Sequence, residues 1–275
     1  MATIDSLLRG AELHDSPSAR LDAEWLLAAA LDKPSSYLRT WSDREVSAEV
    51  QARFAAYLQR RRSGEPVAYI LGRQGFWSLD LEVAPHTLIP RPDTELLVET
   101  ALQLAPTTAT AVLDLGTGTG AIALALARER PQWSLLGVDR VPEAVALATR
   151  NARRLGIGNA QFAESHWFSA LESRRFALIL SNPPYISASD PHLQQGDLRF
   201  EPASALVAGV DGLDDLRLIV SQAPVHLSPS GWLLLEHGHD QGAAVRALLD
   251  RAGFADVHSR SDLGGNERIS LGRRS

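Results

Sequence analysis

Between Ala111 and Arg130 the chain runs from an apolar stretch, Ala111-Val112-Leu113-Asp114-Leu115, through Gly116-Thr117-Gly118-Thr119-Gly120 into a helical segment that begins at Ala121. Glycine permits the positive φ angles of so tight a turn and lets a ligand approach the backbone. From residue 93 onward helix and strand alternate. Strands are predicted at about 111–115, 133–138, 160–164, 176–181, 231–236, 254–258 and 267–271, with helices between most of them. Such alternation indicates a parallel sheet covered on both faces. Only Ser259 to Asn266 separate the last two strands, too few residues for a crossover helix, so these pair as an antiparallel hairpin. The expected fold is α/β: a Rossmann-like sheet of seven strands with its last strand antiparallel.

Residues 1–72 read as helical. Ser16-Pro17 resembles an N-cap followed by proline at the first helical position. Leu21, Trp25, Leu26 and Ala29 recur at helical spacing and predict one buried face. A further helix is expected from about Ser47 to Arg62, with Val50, Phe54, Tyr57 and Leu58 on one side and a stop at Ser63-Gly64. Together these make a small helical bundle. Phe76 to Val83 then alternates at period two after Trp77, the mark of a strand, and residues 73–90 read as a β-hairpin linker. In Leu88-Ile89-Pro90-Arg91-Pro92-Asp93-Thr94-Glu95, two prolines force an extended chain before a helix that starts near Asp93. The expected division is a helical domain over 1–72, the hairpin over 73–90, and the sheet domain over 91–275.

Of the 275 residues 45% are hydrophobic, enough for a large packed domain with a small one beside it. The absence of cysteine excludes disulfides and thiolate metal sites. No apolar run is long enough to span a bilayer. The start, Met1-Ala2-Thr3-Ile4-Asp5, shows no basic segment followed by an apolar one, so no secretory leader is expected and a cytoplasmic location fits. Net charge is −6; residues 1–75 hold ten basic and ten acidic residues, so the excess falls on the remainder. A protein that grips bare nucleic acid shows a basic excess, and here only Arg60-Arg61-Arg62, with Arg73 nearby, stands out. That cluster reads either as the solvated end of a helix or as a functional patch.

Ser134-Leu135-Leu136-Gly137-Val138 ends in Asp139, where a carboxylate can accept both hydroxyls of a ribose. This is nucleoside-cofactor geometry at the switch point of the sheet. The segment Gly116 to Ala121 also satisfies the looser dinucleotide fingerprint, with Asp139 at the expected distance of about 20 residues. Asp114, in the strand just before the glycines, tips the choice. A carboxylate there faces a cationic methionine group favourably and repels a pyrophosphate, which favours S-adenosylmethionine over NAD.

The apolar strand Phe176 to Ser181 is followed directly by Asn182-Pro183-Pro184-Tyr185. An amide nitrogen is a poor nucleophile because its lone pair is delocalised. A methyl-transferring enzyme must hold that nitrogen in line with the donor and draw its hydrogens aside. The Asn182 side-chain carbonyl and the Pro183 backbone carbonyl are pure acceptors suited to this. Pro183 and Pro184 offer no competing N–H. Tyr185 can pack on a planar substrate and face a sulfonium. Positioning and fixed dipoles would carry such catalysis, with no metal. Trp167, after the third strand, reads as an adenine neighbour or as core. His237 and His239 lack a third metal ligand and read as a strand-end loop. Glu201-Pro202 to Leu213 form a turn-rich connection placed to overlie the site.

Five segments carry a family resemblance: Gly64 to Gly72, Leu88 to Glu95, Asp114 to Ala123, Asn182 to Tyr185, and Glu201-Pro202 with Gly209 to Arg217. Over essentially its full length the chain resembles the release factor glutamine methyltransferases, the PrmC/HemK family of class I S-adenosylmethionine-dependent methyltransferases. The resemblance implies methyl transfer to the side-chain amide nitrogen, N5, of the glutamine in the Gly-Gly-Gln loop of class-one peptide chain release factors, with S-adenosyl-L-homocysteine as product. It implies that Gly116, Thr117, Gly118, Thr119, Gly120, Asp139, Trp167 and Asn182 contact S-adenosylmethionine. It further implies that Asn182, Pro183, Pro184 and Tyr185 hold the glutamine, that Asn182, Pro183 and Tyr185 are catalytic, and that the helical domain docks the partner. A monomer acting on protein, without direct nucleic-acid substrate, is expected. The alternatives are methylation of an exocyclic nitrogen of adenine or guanine in nucleic acid, a non-catalytic binding protein on the same fold, and an NAD-dependent reductase.

Overall fold

The computed structural model describes residues 2–105 and 108–275. Backbone contacts divide the chain into two units. One holds the residues up to Arg73 together with Pro191–Phe200; the other holds Gln74–Asp190 and Glu201–Ser275. No helix among the described residues is long and apolar enough to cross a membrane.

The first unit is built from helices α1 (Ile4–Arg9), α2 (Ala19–Leu31), α3 (Ser35–Thr40), α4 (Ala48–Arg62) and α5 (Val67–Leu71). Ile4, Leu26, Leu27, Phe54 and Leu58 meet in its core. Helix α4 buries the face its periodicity predicts, with Phe54 and Leu58 inside and Val50 and Tyr57 packed at the margin. Helix α2 does not. Leu21 and Trp25 are 44% and 46% exposed, while Asp22, Ala23, Leu26 and Leu27 are buried. The helix also starts at Ala19 instead of Pro17, because Ser16 has another use. Its hydroxyl donates to Asp22 Oδ2 at 2.7 Å, and Ser18 Oγ donates to Asp22 Oδ1 at 2.8 Å.

Arg61 explains the rotation of α2. Its Nε donates to Asp22 Oδ2 at 2.7 Å, and its Nη1 meets Asp197 Oδ1 at 2.9 Å. The guanidinium is buried with Asp22, so a paired charge fixes which side of α2 turns inward. Within the arginine cluster Arg61 is buried, while Arg60 and Arg62 stay exposed at the helix end. Arg60 grips Glu65 with two hydrogen bonds, and Arg62 Nε donates to the Glu12 carbonyl. Asp197 lies in the ten-residue excursion 191–200, which interrupts the second unit's sequence and belongs to the first unit.

The second unit begins one residue into the hairpin of β1 (Arg73–Phe76) and β2 (Leu79–Glu82), which turns at Trp77 with φ 55°. A short 3-10 turn over Pro92–Thr94 leads into α6 (Glu95–Leu104). Then follow β3 (Ala111–Leu115), α7 (Ala121–Glu129), β4 (Ser134–Asp139), α8 (Pro142–Leu155), β5 (Ala160–Glu164) and β6 (Phe176–Ser181). The unit closes with α9 (Asp214–His226), β7 (Leu227–Glu236), α10 (Gly242–Arg251), β8 (Phe254–Ser261) and β9 (Glu267–Arg274). The sheet order is β5-β4-β3-β6-β7-β9-β8, so the order reverses at β3. Five strands run parallel, and β9 is antiparallel to both β7 and β8. The final hairpin is longer than its sequence suggests, because β8 reaches Ser261 and only residues 262–266 turn.

Adjacent residues of β3 serve opposite faces. Val112 packs with Leu97, Leu124 and Leu178, whereas Leu113 packs with Ile179, Leu216 and Leu233. Helix α7 has alanine or leucine on nearly every side and is buried from Ala121 to Ala127, as suits a helix wedged in the interior. Truncating Arg61 to Ala leaves Asp22 buried without its cation. The expected loss is about 3–5 kcal/mol of unfolding free energy, read from urea denaturation. A double variant that also replaces Asp22 by an apolar residue should recover much of that loss.

Candidate active site

The site is set by where parallel strands end. Leu115 of β3 lies opposite Val138 of β4 and also opposite Ser181 of β6. The residues that follow these partners, Gly116, Asp139 and Asn182, therefore emerge on one rim, at the switch point where ligands bind in open sheets. Ser181 Oγ donates to the Leu115 carbonyl at 2.8 Å and ties two of the three strand ends together. A cleft opens there.

The glycine loop is held almost entirely by internal bonds. Gly116 N and Thr117 N donate to the Val138 carbonyl, both at 2.9 Å, and Gly120 N donates to the Thr117 carbonyl at 2.8 Å. Gly118 N donates to Asp139 Oδ2 at 2.9 Å, and Val141 N donates to Asp139 Oδ1 at 3.0 Å. Gly116, Gly118 and Gly120 all have positive φ. Four of the five loop N–H groups are thus committed, which leaves little to cradle a pyrophosphate. A nucleoside whose ribose meets Asp139 suits the loop better, since each carboxylate oxygen keeps a free lone pair.

Gly116, Thr117, Gly118 and Thr119 line the cleft together with Asp139, Trp167, Asn182 and Pro184; Gly120, Pro183 and Tyr185 do not. Trp167 belongs to the core and to the cleft wall at once, with φ 51° and its Nε1 donating to Asp215 Oδ1 at 3.2 Å. Asp114 does not face the cleft. Its Oδ2 accepts from Thr117 Oγ1 at 2.6 Å and from Ala123 N at 3.3 Å, and its Oδ1 is buried without a partner. Burial pushes this carboxyl up to about 6; the hydrogen bonds from Thr117 and Ala123 oppose the rise, and the neighbouring charge of Asp139 adds to it.

Asn182 Nδ2 donates to Thr94 Oγ1 at 3.0 Å, which leaves Oδ1 as the free end of the carboxamide. The phenol of Tyr185 points behind the turn and donates to Glu236 Oε1 at 3.4 Å. Burial, with the charge of Glu236 beside it, holds that phenol protonated. The Tyr185 carbonyl accepts from Gln241 Nε2 at 3.0 Å, and it passes so close to Gly212 that a Cβ there would lie 2.2 Å from it. Glu201, with a fully buried side chain, accepts from Ile89 N at 3.0 Å and pairs with Arg91, so it pins the proline-rich strip that walls the cleft.

Thr94, Asp215 and Glu236 are site residues that periodicity and motif spacing do not announce. Thr94 sits inside the Ile-Pro-Arg-Pro-Asp-Thr-Glu strip, but its tie to Asn182 spans 88 positions. Glu236 has one visible signal, a lone acid ending the apolar run Trp232-Leu233-Leu234-Leu235. His237 is a buried core residue; its Nε2 meets Ser270 Oγ, and its Nδ1 lies 2.8 Å from the Gly238 carbonyl.

The raised Asp114 carboxyl has a stability signature. The folded protein keeps a proton there that the unfolded chain releases from pH 3.8 upward, so the contribution is fully favourable below that value and is lost as pH rises through about 6. Urea denaturation across pH should show the native protein losing stability relative to Asp114→Asn between those two values, with a constant difference above them.

Known proteins place this geometry. The family description "PrmC N-terminal domain" matches residues 6–72, and "Methyltransferase small domain" matches residues 92–205. A release factor glutamine methyltransferase of Pseudomonas aeruginosa is 70% identical, covering 99% of this chain and 99% of that protein. The protein of that name from Salmonella typhimurium is 54% identical, covering 95% of each. Among solved structures, a methyltransferase from Pyrococcus furiosus shares the fold with a TM-score of 0.56 at 17% identity, covering 80% of this chain and 99% of its own. With its sheet, glycine loop and Asn-Pro-Pro-Tyr turn in place and near-full-length identity to these relatives, this chain belongs to the release factor glutamine methyltransferase family.

Proposed function

We propose that this chain transfers a methyl group from S-adenosylmethionine to N5 of the glutamine in the Gly-Gly-Gln loop of class-one peptide chain release factors. The observation that carries the reading is the held carboxamide of Asn182, which gives one N–H to Thr94 and keeps its oxygen free. The activity of the release factor glutamine methyltransferases to which this chain is similar supplies the substrate.

The residues present fit the cofactor. Asp139 on the cleft wall would hold the ribose hydroxyls, Trp167 would stand against the adenine, and Gly116 to Gly120 would let the chain pass close beneath. The unpartnered Asp114 Oδ1 is a buried acceptor directly behind that loop. When bound, S-adenosylmethionine supplies a methyl group on a sulfonium, which needs no further activation.

The protein's task is then to prepare the nitrogen. The Asn182 side-chain carbonyl and the Pro183 backbone carbonyl accept the two N–H hydrogens of the glutamine amide. That aims the lone-pair direction at the donor carbon and stabilises the positive charge that grows on nitrogen. Pro183 and Pro184 are buried and lack N–H groups, so they hold the turn rigid and offer no donor to compete. Tyr185 packs at the turn and completes the glutamine pocket. Asn182 also borders the cofactor side of the cleft, so one residue touches both reactants.

A glutamine side chain carries little binding energy, and selectivity comes from contacts away from the reacting atoms. The helical domain over 1–72 is assigned to partner docking, the 73–90 hairpin to the link, and 91–275 to catalysis. The even charge balance of residues 1–75 and the internal pairing of the Arg60–Arg62 cluster favour a protein partner over nucleic acid. The reading includes a monomer acting in the cytoplasm.

Mass spectrometry of a class-one release factor incubated with enzyme and S-adenosylmethionine should show one added methyl on the loop glutamine. Labelled cofactor should leave duplex DNA unmodified; label on DNA with none on the release factor would overturn the assignment. Asn182→Ala should lower kcat by roughly a hundredfold or more, while calorimetry finds cofactor affinity within severalfold of the native value.

A further inference from the structure

Behind the Asn182 turn sits a buried carboxylate with one oxygen left without a partner. Glu236 ends β7 after an apolar run and is 2% exposed. Asp93 and Thr94 face it from the 3-10 turn before α6, Tyr185 from the turn after β6, and Arg268 from β9. Its chain neighbour His237 turns away to Ser270. Arg268 is shared between Asp93 at 3.2 Å and Asp262 at 3.1 Å, so it does not form a close ion pair with Glu236. The Tyr185 phenol reaches Oε1 at 3.4 Å, and Oε2 has no partner of normal geometry.

The Thr94 hydroxyl has one proton to give. Because Asn182 Nδ2 donates to that oxygen, the proton must point elsewhere; no hydrogen bond of normal geometry joins it to Glu236, yet Thr94 is near enough to draw that carboxyl's pKa down. An ionised carboxylate only accepts. With Glu236 ionised, the Thr94 proton is held toward it, the Thr94 lone pairs face Asn182, and only the NH₂ end of the carboxamide can meet them. A flipped Asn182 would set its oxygen against an acceptor and turn its NH₂ toward the cleft, against the NH₂ of the substrate.

We propose that Glu236 is a positioning residue that, through the Thr94 hydroxyl and with the Tyr185 phenol, dictates which end of the Asn182 carboxamide faces the substrate nitrogen. The inference rests on the glutamine-methylation reading, in which Asn182 must present oxygen. Burial pushes the Glu236 carboxyl up to about 7, and Asp93 adds to the rise; Thr94, Tyr185 and Arg268 draw it back. Protonated Glu236 becomes a donor, Thr94 is no longer held, and the lock opens. Turnover is therefore low when Glu236 is protonated and rises with pH through about 7.

The test compares the native enzyme with Glu236→Gln, Thr94→Val and Thr94→Ser, assaying release factor methylation against pH. Glu236→Gln should lower kcat roughly ten- to a hundredfold, leave the calorimetric affinity for S-adenosylmethionine within about twofold, and remove the acid limb of the profile. Thr94→Val should lose a similar factor, and Thr94→Ser should restore it. A second readout needs no release factor: the side-chain amide resonances of isotope-labelled Asn182, assigned by their loss in Asn182→Ala. They should titrate near neutral pH in the native protein and stay constant in Glu236→Gln. A Glu236→Gln enzyme that keeps native kcat and its acid limb, or native Asn182 resonances that ignore pH, overturns the lock. Titrating resonances in a protein that leaves the release factor unmethylated would count against the substrate assignment and uphold the lock.

Discussion

The site depends on Leu115 being registered against two neighbours at once, Val138 on one side and Ser181 on the other. Parallel strands bring their carboxyl ends to a single edge, so this double register decides which residues share the rim. A slip of one residue in β6 would turn every side chain to the other face. Leu178 and Leu180 would then leave the core they share with α7, and Ile179 the core it shares with α9. Burial on both faces makes that slip prohibitively costly, and the Ser181 hydroxyl bond to Leu115 marks the correct register at the rim itself. Asn182 reaches the glycine loop because an apolar strand on either side of β3 cannot be shifted.

Much of this was legible in the sequence because it is local. The strand, glycine turn and helix at 111–129, the acid closing β4, and the Asn-Pro-Pro-Tyr turn after β6 are each short continuous segments and obey short-range rules. The face of α2 was not legible. Leu21 and Trp25 have the right spacing for a buried stripe, yet the helix turns Asp22 inward to a guanidinium 39 positions away. The same holds at the site. Nothing near Asn182 in the chain names Thr94 as its partner, and nothing near Tyr185 names Glu236. Hydrophobic periodicity reports that a face is buried; it does not report which polar group will travel into the core because a distant partner waits there.

The buried acids separate into two kinds. Asp22 is fully employed: Ser16, Ser18 and Arg61 all bond to it, as expected where a buried charge serves the fold. Asp114 and Glu236 are under-supplied, each with one oxygen lacking a partner and each with its carboxyl raised mainly by burial. An interior that tolerates two such groups gives up stability, and both lie behind the cleft at the ends of central strands. Incomplete satisfaction, more than burial, distinguishes a carboxylate kept for the chemistry from one kept for the fold.

If the substrate is a carboxamide, its nitrogen must meet acceptors on every side except the one facing the donor carbon. A single misplaced N–H would hydrogen-bond to the substrate carbonyl or crowd its hydrogens, and the lone pair would swing away. The turn removes such donors one by one. Pro183 and Pro184 have no N–H to offer. One N–H of Asn182 is given to Thr94, and the hydroxyl of Tyr185 is directed backward to Glu236. What remains on the reacting side is oxygen. Asparagine suits this place better than aspartate would, because its neutral oxygen accepts hydrogen bonds without drawing a sulfonium into an ion pair that would stabilise the ground state. The price of that choice is an ambiguous side chain with two nearly isosteric ends. A neighbour deeper in the protein that can only accept resolves the ambiguity, and Glu236 fills that place when it is ionised.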